Sequence, residues 1–365
     1  MSLAVTTAGP EGATIDLEPA RRIALDTVHS GQLPCAVFGV AGADGIRAIH
    51  AVSGRRSTVR PDSIFFIASV TKAIVATAVM QYVDEGRLDL RAPLARYLPE
   101  FSGEGREAVT TWHVLTHTSG LPDMRIETLR RERPSYRRSL ERALARTPAW
   151  PPGSRYEYNS AAWMLLAETM ARLSAMPFPE AVRVRLTQPL AMVDTTFDPR
   201  HARSRIRPMN GFAIRNRLME EVLLRFLVRA TLPGGGMFGT VADLLRLGRA
   251  LLPTPLAGSS AVGAERGPRI LSRAAIEEMV RDHTAGIPEL LEDGSRREVR
   301  QALGWRKPTQ GWPDEPSAFT HGGISGSRLW VDPARGLAFA FLTNLWEAPD
   351  EPAQAILGAV YRAWR

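Results

Sequence analysis

The chain has 365 residues, 44% of them apolar, which suits one large or two modest domains with a substantial buried core. Its 46 basic residues outweigh 38 acidic ones, for a formal charge of +8. Such an excess raises nucleic acid or a membrane surface as partners. However, the cations are dispersed, no zinc-finger, RNA-recognition or basic-zipper pattern occurs, and no apolar run approaches the ~20 residues that span a bilayer. A single cysteine, Cys35, excludes a disulfide framework and a cysteine-rich metal site; with no signal peptide visible before Gly12, the expectation is a soluble cytoplasmic protein that binds neither nucleic acid nor membrane.

Residues 15–29 set Leu17, Ile23, Ala24 and Val28 near helical spacing with acids early, which predicts an amphipathic helix. Ala36–Val40 and Ile46–Val52 are short apolar runs joined by Ala41-Gly42-Ala43-Asp44-Gly45, a hairpin pattern, with Cys35 as a small buried hydrophobe at its start. From 69 to 85 the apolar residues go nearly all round, which predicts a helix buried at the centre of the fold and ended by Gly86. A turn and short helix follow over 87–101, and another helix opens at 110–117 and closes at Ser119-Gly120-Leu121-Pro122.

Between 125 and 146 eight arginines face Glu127, Glu132 and Glu141, a solvated helical surface laced with ion pairs. Residues 161–173 and 179–190 read as helices, and 218–230 as an apolar helix edged by arginines, of core or lid type. Gly234-Gly235-Gly236 forms a loop into a helix capped by Thr240; it lacks the lysine of a phosphate-binding loop. Arg328–Val331 and Leu337–Leu342 are strands joined by a turn, and a helix over 351–364 closes the chain. Strands therefore cluster at both ends around a helical middle.

The chemistry starts at Ser69-Val70-Thr71-Lys72. On a helix, residues i and i+3 share a face, so the hydroxyl and the amine can converge. A serine hydroxyl is a weak nucleophile until a base takes its proton, and an amine in a buried or cationic setting can be that base. An arginine cannot, because it stays charged. Of the 46 basic residues only Lys72 and Lys307 are lysines, leaving 44 arginines. A lysine three residues after a serine in such a chain reads as a deprotonatable group.

Acyl transfer also needs an acid/base for the leaving group and a site for the oxyanion. Tyr158, in Arg155-Tyr156-Glu157-Tyr158-Asn159-Ser160, can release its proton beside a lysine. Glycines 322 and 323 in Thr320-His321-Gly322-Gly323-Ile324 let a substrate approach a strand, where the Ile324 N–H could join that of Ser69 as an oxyanion hole. Taken singly, either tyrosine is an amphipathic wall residue and His321 a structural histidine. No His-Glu-x-x-His zinc pattern and no Gly-x-Ser-x-Gly elbow occurs, and the chemistry requires no metal or organic cofactor.

Together, Ser69-x-x-Lys72, Tyr158-x-Ser160 and His321-Gly322-Gly323 resemble the serine β-lactamase and penicillin-binding-protein group, most of all its class C β-lactamase-like branch, which includes family VIII carboxylesterases, D-stereospecific peptidases and transesterases. Leu115-Thr-His-Thr-Ser-Gly-Leu-Pro122, Pro152-Gly153, Leu232-Pro-Gly-Gly-Gly236 with Asp243, and Phe341-Leu-Thr-Asn344 extend the resemblance over about 30–364. It implies an α+β, β-lactamase/transpeptidase-like fold in one catalytic domain over 1–365: an antiparallel sheet with flanking helices from about 1–65 and 295–365, and a mainly helical part from about 66–294. It also implies roles. Ser69 is the nucleophile, Lys72 its base and Tyr158 a proton relay; the Ser69 and Ile324 amides hold the oxyanion; Ser160, His321, Gly322 and Gly323 meet substrate.

Two positions depart from the group's pattern. Its usual tyrosine-x-asparagine is here Tyr158-Asn159-Ser160, with Ser160 in the asparagine place; pairing Tyr158 with Asn159 would need a local bulge. A serine serves fewer partners than an amide. His321 stands where penicillin-recognising relatives carry lysine. Both departures favour an esterase acting through an acyl-enzyme on a small-molecule ester or amide. The alternatives are a D-amino-acid peptidase, a β-lactamase or an acyltransferase of the same fold, and, from another class, a homologue that only binds its ligand.

Overall fold

The computed structural model describes residues 5–8, 15–55, 57–124, 126–211, 217–253 and 269–364. In chain order its strands are β1 (Val5–Ala8), β2 (Cys35–Gly42), β3 (Gly45–Ser53), β4 (Phe65–Phe66), β5 (Phe238–Gly239), β6 (Pro288–Leu290), β7 (Arg296–Glu298), β8 (Phe319–Gly323), β9 (Ser327–Asp332) and β10 (Leu337–Leu342). The helices are α1 (Glu18–His29), α2 (Val70–Asp84), α3 (Thr111–Leu115), α4 (Ile126–Glu132), α5 (Tyr136–Leu144), α6 (Trp163–Ser174), α7 (Phe178–Val182), α8 (Arg217–Ala230), α9 (Val241–Ala250), α10 (Arg273–Val280) and α11 (Glu351–Ala363).

The apolar runs at the two chain ends pair into one antiparallel sheet in the order β1-β3-β2-β10-β9-β8. β2 and β3 form the expected hairpin, Gly42 opposite Gly45 across Ala43-Asp44. β10 then zips against β2, with Phe341 opposite Phe38, and this pairing closes the fold. Every residue of β2 and β10 is buried, because both sheet faces are covered. On one face α1 and α11 pack Ala24, Val28, Ile356 and Val360 on Phe38, Phe339 and Trp330. On the other, α2 and α9 pack Ile74, Val75, Leu244 and Leu247 on Val37, Leu329 and Ala340. Sequence-distant α9 thus belongs to the sheet's covering layer.

Helix α2 is buried from Val70 to Tyr82, as its all-round apolarity predicts. Gly304 comes against it: its backbone has φ +69°, and a Cβ there would lie 2.3 Å from the Ala76 Cβ and 3.0 Å from the Trp163 ring. Left-handed backbone costs an alanine ~1–2 kcal/mol, and overpacking adds ~1–3 kcal/mol. Gly304→Ala is therefore expected to destabilise by about 3 kcal/mol and to lower the thermal midpoint by several degrees; an unchanged midpoint would contradict this packing.

The expected helix over 179–190 is broken. α7 ends at Val182 and a π-helical turn runs from Arg183 to Thr187. The 87–101 stretch holds only a 3-10 turn, Leu94–Arg96. Thr240 does cap α9, its Oγ1 accepting from the Asp243 N–H at 3.2 Å. Around α4 and α5 the arginines pair with acids as expected, Arg137 and Arg138 with Glu141 and Arg142 with Glu132; Arg125 lies outside the described residues. No helix among the described residues is long and apolar enough to cross a membrane.

Candidate active site

Ser69 stands at the head of α2, in the N-cap position, with its hydroxyl not used as a cap. The approach to it is held from outside: β4 pairs with β5, the Ile67 N–H donates to the Met237 carbonyl at 3.0 Å, and the Met237 N–H donates to Thr71 Oγ1 at 3.1 Å. Between these ties Ala68 adopts φ +44°, a left-handed backbone that costs a non-glycine residue of order 1–2 kcal/mol. That turn presents Ser69 to solvent at the helix N-terminus, where free N–H groups and the helix dipole favour negative charge.

One turn on, Lys72 has no solvent exposure. Its Nζ donates to Ser160 Oγ at 2.9 Å and to the Gly234 carbonyl at 2.5 Å, and it lies 4.6 Å from the Tyr158 ring centroid. An ammonium has three N–H donors, and these two acceptors take two of them. The close approach explains the glycine: a Cβ at Gly234 would lie 2.9 Å from the Ser160 carbonyl and 3.3 Å from Nζ.

Tyr158 is wedged between cations. Lys72 Nζ lies 4.6 Å from its ring centroid and Arg306 Cζ 5.0 Å, while the His117 ring stands 4.5 Å away. Burial pushes the phenol's pKa up, but the Lys72 and Arg306 charges, with hydrogen bonds from Lys72 and Ser69, outweigh it and bring the group below its ordinary value of 10.0. His117 and His321 are held well below 6.5 by burial first and by the same two cations second, so both rings are neutral. Among the described residues neither Lys72 nor Arg306 pairs with a carboxylate.

Ser69, Tyr158, Ser160 and Ile324 line one cleft of about 1960 Å³. Ser160, not Asn159, meets the lysine, and no bulge intervenes. Asn159 turns into the protein, where its Nδ2 donates to the Leu121 carbonyl at 2.5 Å and its Oδ1 accepts from the Ala162 N–H at 2.8 Å. The end of β8 presses on the nucleophile turn: a Cβ at Gly323 would lie 2.6 Å from the Ile67 carbonyl, and Ser327 Oγ donates to that carbonyl at 2.7 Å. Ile324 is thereby brought beside the turn and stays 43% exposed.

His321 does not line the cleft. It is 1% exposed, on the same strand face as Phe319, which packs edge-on against Trp305. Gly322 is likewise away from the cleft, under the Arg328 guanidinium.

Two contributors carry no local signal, and a third is marked without a role. Arg306, far along the chain, donates to the Tyr156 hydroxyl at 3.1 Å behind Tyr158. Asp123 Oδ1 accepts from the Ser160 and Ala161 N–H groups at 3.0 and 2.8 Å, fixing the turn that aims Ser160. His117 accepts from the Asn159 N–H through Nδ1 at 3.1 Å and buttresses the tyrosine ring; it falls inside the Leu115–Pro122 motif, which marks it without giving its role.

A sequence model for the Beta-lactamase family matches residues 20–362. Esterase EstB from Burkholderia gladioli is 30% identical over 83% of each chain. Two crystal structures superpose on nearly the whole chain. One, of a family VIII carboxylesterase, gives a TM-score of 0.80 at 21% identity, covering 98% of this chain and 100% of the other. The second, of a penicillin-binding-protein homologue from Caulobacter crescentus, gives 0.78 at 22% identity over 99% and 100%. At those identities the two structures establish the shared α+β fold of the β-lactamase and transpeptidase group.

Proposed function

The chain belongs to the Beta-lactamase family, and we propose that it is a serine hydrolase that cleaves esters through an acyl-enzyme on Ser69. The observation that carries this reading is that Ser69 and Tyr158 line one cleft with the buried Lys72 Nζ 4.6 Å from the Tyr158 ring centroid. The Tyr158 phenolate, held by Lys72 and Arg306, takes the Ser69 proton as Oγ attacks the ester carbonyl. The Ser69 and Ile324 amides receive the oxyanion, aided by the N-terminus of α2. As the tetrahedral intermediate collapses, the carbonyl C–O bond to the alcohol breaks and Tyr158 returns the proton to the leaving oxygen. Water then repeats the sequence, giving its proton to Tyr158 and releasing the acid. Lys72 thus acts through Tyr158, its ammonium held by Ser160 and Gly234 and its charge facing the phenolate.

Esters are favoured over penicillins because β8 offers no fixed cation to a substrate carboxylate: His321 is buried and neutral. EstB is named an esterase, which supports the same reading, and penicillin-binding-protein homologues set the alternative. Short-chain p-nitrophenyl esters are expected to be turned over with kcat/KM at least a hundredfold above nitrocefin and D-alanyl amides, and a fluorophosphonate is expected to label Ser69. Nitrocefin turnover equal to that of the esters would replace the esterase reading with a β-lactamase one.

A further inference from the structure

Helix α8 divides its residues by face. Phe226, Leu227 and Ala230 are buried against Ile64 and Phe238; Arg225 and Arg229 point outward. Val222, Leu223 and Leu224 stay half-buried, the two leucines packing against that cluster, and with Glu220 and Glu221 they line the cleft that holds Ser69. The wall they form is continuous with the nucleophile, because Phe238 packs on Phe66 with ring centroids 5.3 Å apart and Phe66 lies three residues before Ser69. Tyr158 and Ser160 line the same cleft with Glu157 and Asp123, a polar setting for a departing alcohol. The cleft's 1960 Å³ is roughly twice the upper end of what a drug-sized ligand fills, ~300–1,000 Å³. An acetyl group would leave the α8 wall in water, and apolar surface of that extent is ordinarily a binding site.

Resting on the hydrolase reading, we propose that the α8 wall is an acyl-chain site and that the substrates are esters of fatty acids with eight or more carbons. Ser69 Oγ bonds to the carbonyl carbon, the alcohol leaves on the Tyr158 side with the proton, and the chain lies along Leu223 and Leu224 until water releases the fatty acid. Each buried methylene can add up to about fourfold in transition-state affinity.

The test measures kcat/KM on p-nitrophenyl acetate, butyrate, octanoate and dodecanoate in monomeric solution, beside fluorophosphonate labelling of Ser69. Octanoate is expected to exceed butyrate at least tenfold. Leu223→Trp and Leu224→Trp, shown folded by thermal unfolding, are each expected to cut the octanoate-to-butyrate ratio at least fivefold. The isomers ethyl octanoate and octyl acetate settle the side, with ethyl octanoate expected to be the better substrate. A labelled enzyme that favours butyrate, an unchanged ratio in both tryptophan variants, or a preference for octyl acetate would overturn the acyl-chain site while leaving the hydrolase reading intact. No label and no ester turnover would remove both.

Discussion

Tyr158→Phe is expected to lower kcat/KM on p-nitrophenyl butyrate by a factor of about a thousand or more. General acid and base steps each contribute 10²–10⁴, and one phenol serves both here. Only an oxygen is removed, and the ring keeps its contacts with His117 and Arg306, so stability should change by no more than ~1–2 kcal/mol, the range for losing one polar contact. Lys72→Met should fall as far, because it removes the buried cation that holds the phenolate. Lys72→Arg should not rescue it: a guanidinium spreads its donors over three nitrogens in a fixed fork, while Ser160 Oγ and the Gly234 carbonyl converge on a single Nζ. Groups acting as one unit lose activity non-additively, so the Tyr158→Phe/Lys72→Met double variant should be little worse than either single one. If Tyr158→Phe kept activity within tenfold, the proton would have to pass directly between Ser69 and Lys72. Ser69→Ala bounds the series at background.

What could be read from the chain and what could not divide by range. α2 and the β2–β3 hairpin rest on local patterns, an apolar helix without a polar face and two runs about a two-residue turn. The Ser69–Lys72 spacing is local too, and the scarcity of lysine sharpens it. The second lysine, Lys307, also sits in a buried place, where burial first and Arg300 second bring its pKa down to about 8. The break after α7 has a signal that the apolar spacing of 179–190 masks: Pro189 has no N–H for the Arg185 carbonyl, which accepts from Gln81 Nε2 at 3.0 Å instead.

His321 was legible in part. Strand alternation sets it on the face of Phe319, which turns inward, whereas the glycines beside it suggest an open wall. Contacts across long separations were out of reach. The Gly234 carbonyl and the Asp123 carboxylate converge on Ser160 and Lys72 only because the chain returns there three times, and nothing in Leu303-Gly304-Trp305-Arg306 says which tyrosine lies in front of the guanidinium.

Arg306 carries the second large effect, and it shows in the pH profile. The working form of Tyr158 is the phenolate, so kcat/KM should rise with pH as the phenol loses its proton. Lys72 and Arg306 favour the charged form and move that rise below the ordinary 10.0. Removing one cation must therefore shift it towards alkali. Arg306 Cζ lies 5.0 Å from the Tyr158 ring centroid, and two unit charges at about that separation and an effective dielectric constant of about 20 interact by roughly 3 kcal/mol. Arg306 is half-exposed, and solvent screening reduces this to about 1.4 kcal/mol, or one pH unit. Arg306→Met is thus expected to displace the rising limb upward by about one unit and to cost about tenfold in kcat/KM at neutral pH. Above the displaced limb the loss should largely disappear, because the phenolate is then formed without help. A merely structural role for Arg306, as donor to the Tyr156 hydroxyl, would instead lower activity by the same factor at every pH. Arg306→Lys, which restores the charge, should bring the limb most of the way back. A pH-independent loss in Arg306→Met would assign the arginine to packing and leave Lys72 alone to hold the phenolate.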